Sequence, residues 1–276
     1  MKYRMLAISL LLVSGLAAGS RAMAGHLNTR EVLQSRTMEG SDFPERDEIR
    51  QTYQLSPGSR VEVSRINGTV DIETTSGSSA EVHIIRSARN KEDLNYRKIF
   101  VDQSAEGLTV RGEKEDNWER SGREPQVRHR VILKLPRQVA LNVEGVNGRV
   151  NIGEIDGPVE ASGINGKVEI GQSVGYTNLS GINGRVTVKI VRLTDRGINL
   201  SGINGGVDLM FTDDLNADIN VTGINGSVDA DFPNVVLQGK PNRSNYRARI
   251  GSGGMQIVAS GINGRVRLSR AGSTGQ

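Results

Sequence analysis

Asp208 and Asp229 occupy the same offset in two successive copies of a repeated Gly-Ile-Asn-Gly motif, with Asp231 close by. If the copies stack as adjacent strands, the two carboxylates stand about 5 Å apart, one inter-strand spacing. That separation suits glycoside cleavage, in which one carboxyl donates a proton while the other attacks the sugar. Arg149, Lys167 and Arg185 share another outward offset in three consecutive copies. They predict a basic stripe roughly 10 Å long, able to meet an envelope glycan, a lipid head group or an acidic protein. Ser64, Ser162, Ser180, Ser201 and Ser260 make a third row. With no histidine paired to it, that row reads as a solvated hydroxyl ladder rather than a set of nucleophiles. Each row also has a plainer reading, in which outward acids and bases neutralise one another and keep the strands soluble.

Other chemistries find little support. The three histidines, His26, His83 and His129, are far apart, and the chain has no cysteine. A transition-metal site is therefore not expected. The glycines form neither a phosphate loop nor a dinucleotide fingerprint. Aromatic residues make up only 4% of the chain, so the sugar-stacking platforms of a carbohydrate groove are scarce. The expectation is a chain with no catalytic residues, no cofactor and no metal.

The elements that would position these rows follow from the repeat. Its asparagines are Asn67, Asn147, Asn165, Asn183, Asn204, Asn225 and Asn263, at steps of 80, 18, 18, 21, 21 and 38. A period near 20 marks a stacked array. The two long steps read as about four and two rungs that have lost the motif. Six and four residues before each Asn the chain is mostly apolar, and three after it is always Val, from Val70 to Val266. Period-two alternation thus runs on both sides of Asn-Gly but changes phase across it, as a corner between two strands requires.

Two architectures fit. Asn-Gly between alternating runs is a strong hairpin signal, because both residues tolerate positive φ. A hairpin, however, would expose the residue before each Asn, and that residue is always β-branched: Ile66, Val146, Ile164, Ile182, Ile203, Ile224 or Ile262. A parallel β-solenoid with rungs of 18–21 residues turns it inward and stacks Asn147, Asn165, Asn183, Asn204, Asn225 and Asn263 into a ladder of hydrogen-bonded amides. The Gly two before each Asn then leaves room where the bend brings backbone close to the core. The solenoid is favoured; an antiparallel hairpin meander or barrel is the alternative.

The ends of the chain bear on location. A short basic start, an apolar run from Met5 to about Ala18 and the small residues of Ala22-Met23-Ala24 predict a secretory signal peptide over residues 1–24. Its removal takes Lys2, Arg4 and Arg21 from 35 basic residues, leaving 32 against 31 acids. The nearly neutral mature chain therefore gives no reason to expect nucleic acid. It also has no later apolar run long enough for a transmembrane helix. Residues 25–50 read as a flexible lead-in or N-terminal cap, 51–270 as the solenoid domain, and 271–276 as a tail. Within the domain, 90–100 opens with a capping Asn and early acids, predicting a short helix. Residues 111–126 form a charged loop with the single Trp, and 233–250 a motif-less rung that bulges outward.

Three stretches carry a resemblance: QTYQLSPGSRVEVSRINGTVDIE, VRHRVILKLPRQVALNVEGVNGRV and IGSGGMQIVASGINGRVRLSR. Together they resemble the opening, middle and closing rungs of bacterial "putative adhesin" domains of unknown function, related to auto-transporter heads named for their Gly-Ile-Asn triplet. The resemblance spans about residues 50 to 270. It implies a β-solenoid exported to the cell envelope, periplasmic or at the cell surface. No translocator barrel or wall anchor follows, so a complete auto-transporter is not expected. The functional expectation is a non-catalytic surface for adhesion or scaffolding. The alternatives are a periplasmic polysaccharide-active enzyme using the paired carboxylates and an accessory sensor of envelope state.

Overall fold

The computed structural model describes residues 43–115, 124–192, 194, 196–211, 216–232, 234–238 and 245–271. The expected signal peptide, most of the lead-in, nearly all of the tail, His26 and Trp118 lie outside them. In chain order the first strands are β1 (Glu45–Gln54), β2 (Arg60–Ser64), β3 (Gly68–Thr75) and β4 (Ser79–Ala88). After helix α1 (Lys91–Tyr96) come β5 (Arg97–Gln103), β6 (Gly107–Lys114) and β7 (Val127–Pro136). The rungs proper are built from β8 (Ala140–Glu144), β9 (Val150–Ile155), β10 (Val159–Ser162), β11 (Val168–Ser173), β12 (Thr177–Ser180) and β13 (Val186–Ile190). They continue with β14 (Ile198–Ser201), β15 (Val207–Phe211), β16 (Ala217–Thr222) and β17 (Val228–Ala230). Last come β18 (Val235–Leu237), β19 (Asn245–Ile250), β20 (Met255–Ser260) and β21 (Val266–Arg270).

The described residues are all-β apart from α1, arranged as two large mixed sheets that do not close on themselves. The strand before each Asn-Gly lies in one sheet and the strand after it in the other. Pairing is parallel through the middle, and identical motif positions meet: Val150, Val168, Val186, Val207 and Val266 stand side by side, all buried. The row before Asn-Gly is buried as well, with every Ile or Val from Ile66 to Ile262 at most 9% exposed. Both inward faces feed one hydrophobic cluster, which is why aliphatic side chains suffice where aromatics are few.

Several expectations need correcting. The 80-residue step does not hold four lost rungs between its ends. β2 pairs directly with β8, and β3 with β9. The intervening strands add on the outer side, with β4 antiparallel to β1 and β7, and β5 antiparallel to β6. The motif-less stretch near 233–250 is not an outward bulge: β18 and β19 pair antiparallel, and β19 pairs antiparallel with β16. The antiparallel alternative is thus partly present, in five of nineteen strand pairings among the described residues. These strands end three of the four sheet edges, where a bare parallel rung would leave a long row of unpaired backbone groups.

The helix falls where the sequence puts it. Asn90 caps α1 by accepting from the Asp93 backbone N–H at 2.9 Å, and Glu92 and Asp93 fill its first turn. β1 starts at Glu45, ahead of the boundary drawn at residue 51.

Candidate functional site

The corner is the most repeated polar feature, and two backbone conformations make it. The Gly two before Asn is left-handed, as at Gly202 with φ 58°. It is exposed, and a Cβ there would meet the neighbouring rung's Gly181 no closer than 3.7 Å. Its demand is for φ, not for space, contrary to the expectation that it makes room beside the core. The crowded glycine is the one after Asn. A Cβ on Gly205 would lie 2.2 Å from the Gly184 carbonyl oxygen, and Gly148, Gly166, Gly184 and Gly264 are just as tight. The asparagines themselves do not take positive φ; among the described residues Arg65, at 57°, is the only non-glycine that does.

With the corner set this way, the asparagine side chains line up along the outside. Asn147 Nδ2 donates to Asn67 Oδ1 at 3.3 Å, Asn165 to Asn147, Asn183 to Asn165 and Asn204 to Asn183, each of these at 3.2 Å. The row then passes to Asn263, which donates to Asn204 at 3.0 Å, and ends with Asn225 donating to Asn263 at 3.1 Å. Asn67 donates in turn to the Val127 carbonyl at 2.8 Å. Each side-chain amide carries two N–H groups and two lone pairs. One of each is used along the ladder at most rungs, which leaves one donor and one acceptor per rung for a ligand.

Asn263 therefore sits between Asn204 and Asn225. The last rung of the chain inserts into the stack: β20 pairs with β14 and β16, and β21 with β15 and β17. This undoes the carboxylate pair. Arg267 lies opposite both Asp208 and Asp229, which are two rung spacings apart, about 10 Å. Asp208 is 3.5 Å from Arg185, and Asp229 is 3.2 Å from Arg265. The carboxylates are held by arginines and do not face each other to share a proton.

Arg149, Lys167 and Arg185 stand on consecutive rungs, since Val150 N–H donates to the Lys167 carbonyl and Val168 N–H to the Arg185 carbonyl. Lys167 is paired with Glu169 at 2.5 Å and Arg185 with Asp208. Arg149 has no ion pair among the described residues. Ser162, Ser180, Ser201 and Ser260 form one row on the other sheet.

His83 lies 3.2 Å from Glu48, while His129 is buried beneath the first corner. Its pKa is pushed down to about 4, first by burial and then by the nearby Arg97 and Arg86. Sequence reasoning gave His129 no role; its only signal was its place in an alternating strand. Among the described residues no group of three or more His, Cys, Asp or Glu could hold a metal ion. Nor is any described helix long and apolar enough to cross a membrane.

No family model and no curated protein matches this chain. Similar solved structures include a "putative cell adhesion protein" from Clostridium sporogenes, with TM-score 0.43 and 13% identity, covering 82% of this chain and 100% of that one. A "putative adhesin" from Bacteroides fragilis gives TM-score 0.37 and 11% identity, covering 82% and 98%. Another from Parabacteroides merdae gives 0.27 and 12%, covering 81% and 96%.

Proposed function

We propose that this chain is a non-catalytic, exported cell-envelope protein, a β-solenoid that presents its corner and sheet faces as a surface for adhesion or scaffolding. The observation that carries the reading is a row of seven asparagines, six exposed and Asn67 half-buried, tied rung to rung by side-chain hydrogen bonds. An exposed amide row adds little to a core, yet it offers a ligand the same donor and acceptor at every rung, about 4.8 Å apart. Its partner is an envelope glycan, a lipid head group or a protein. Export rests on the signal-peptide pattern of residues 1–24, and kinship with the Gly-Ile-Asn heads on the repeated triplet. The polysaccharide-active alternative loses its carboxylate pair to Arg267.

The test is retention of envelope polysaccharide and lipid fractions on the immobilised mature protein, with product analysis. Retention that falls in an Arg149→Ser, Lys167→Ser double variant supports the reading. Cleavage products would overturn it, and so would equal retention on a control column.

A further inference from the structure

The ladder starts in a cavity. Asn67 and Asn147 line a hollow of about 610 Å³ together with Arg65, Arg97 and Arg128. One carboxylate, Glu124, lies among them and is paired with Arg97 at 2.9 Å. Arg65 and Arg128 have no ion pair among the described residues. The Arg128 guanidinium lies over the Phe43 ring, 4.2 Å from its centroid. The buried Nε of Arg97 has no hydrogen-bond partner among the described residues. The lining thus has an excess of two positive charges.

Arg65 supplies the second line of evidence. It occupies the left-handed corner position, with φ 57°, that glycine fills at Gly145, Gly163, Gly181, Gly202, Gly223 and Gly261. Every other rung takes the residue without strain. This rung alone carries a side chain there against the backbone preference, and that side chain lines the hollow. Strain at one arginine in a column of glycines makes sense if the guanidinium is needed.

We infer that the hollow of Arg65, Arg97 and Arg128 is a binding site for the carboxylate-bearing end of an acidic oligosaccharide, whose following sugars lie along the asparagine ladder. Guanidinium groups match carboxylates through paired N–H donors. The rungs beyond then offer alternate donors and acceptors, the chemistry that sugar hydroxyls need. An acyl chain or an apolar peptide side chain has no comparable slot, because Arg128 lies over the Phe43 ring and the other apolar lining residues, Ile66, Pro125 and Val127, are buried. This inference rests on the surface reading above and names its ligand class and anchoring site.

Calorimetry of the full mature protein with trigalacturonate tests it, with galactotriose, acetate and hexaglutamate as comparison probes. Trigalacturonate should bind, and weaken in about 0.5 M NaCl. Galactotriose should bind at least about tenfold more weakly, the loss of one charge-assisted pair. Acetate should compete for the same site. Arg65→Gly should lose a similar factor while melting at or above the parent temperature, because glycine relieves the strained φ. A purely structural Arg65 would not separate binding from stability in this way. Unchanged affinity in Arg65→Gly, or hexaglutamate binding as tightly as trigalacturonate, overturns the site. If trigalacturonate fails to bind while envelope fractions are still retained through Arg149 and Lys167, the anchoring site falls and the surface reading stands. If both fail, both fall.

Discussion

Asn263 donates its side-chain amide to Asn204 across 3.0 Å, although 59 residues separate them in the chain. Through that bond the final rung joins the ladder from within the stack, and Asn225 reaches the rest only through Asn263. Asn263 makes two ladder bonds and Asn225 one. Asn263→Leu should therefore cost about 1–2 kcal/mol, and Asn225→Leu roughly half as much, from the usual net worth of a hydrogen bond. Urea unfolding of the two variants checks the ratio. Equal losses would show that the ladder does not run through Asn263.

The two corner glycines should respond differently. At Gly202 an alanine has ordinary contacts and meets only the φ penalty, about 1 kcal/mol. At Gly205 the same methyl would lie 2.2 Å from the Gly184 carbonyl oxygen, so neighbouring rungs must part. A loss of about 3 kcal/mol or more is expected there, beyond the usual range of overpacking. Gly202→Asn should lose less stability than Gly202→Ala, since Asn tolerates the left-handed region. Thermal melts of the three variants give the order.

The inward row of Ile66, Val146 and Ile164 was legible because seven β-branched residues cannot all sit at exposed turn tips. The phase change across Asn-Gly likewise shows a corner, and the Asn90 cap shows α1. What the repeat could not show is which rung neighbours which. The Asn225 and Asn263 motifs present the same apolar positions to a partner strand, so either could follow Asn204. Nor does a motif with two glycines say that the first needs only a φ while the second needs both a positive φ and space. The cavity was hidden for another reason: Arg97 and Arg128 come from the long step, where no periodicity aligns them with Arg65.

His129 gives the fold a pH dependence with a definite sign. The Asn67 backbone N–H approaches its Nδ1 at 3.4 Å, which leaves the ring proton on Nε2. Burial, with Arg97 and Arg86 adding to it, lowers its pKa to about 4. An unfolded histidine takes up its proton near pH 6.5. Between those values the unfolded chain binds more protons, so stability is full above about 6.5 and drains away as pH falls toward 4. The contribution is at most about 3 kcal/mol. Melting temperatures between pH 7 and 5 should drop in the parent, and drop less in His129→Asn, which keeps an acceptor for Asn67. Parallel slopes would remove His129 as the cause.

Rung order can be read from charge coupling. With the last rung inserted, Arg267 stands opposite Asp208 on one side and Asp229 on the other. In a stack that followed chain order, Arg267 would lie beyond Asp229, and Asp208 would be one spacing further, two from Arg267. Cross-strand opposite charges are worth roughly 0.2–1 kcal/mol when directly opposed, and exposed pairs weaken with salt. Two double-mutant cycles, Arg267→Ser with Asp208→Asn and Arg267→Ser with Asp229→Asn, should each return a coupling of about 0.5 kcal/mol at low ionic strength. Both should shrink in high salt. Coupling to Asp229 alone would restore chain order to the stack and, with it, the neighbouring carboxylates that the polysaccharide-active reading needs.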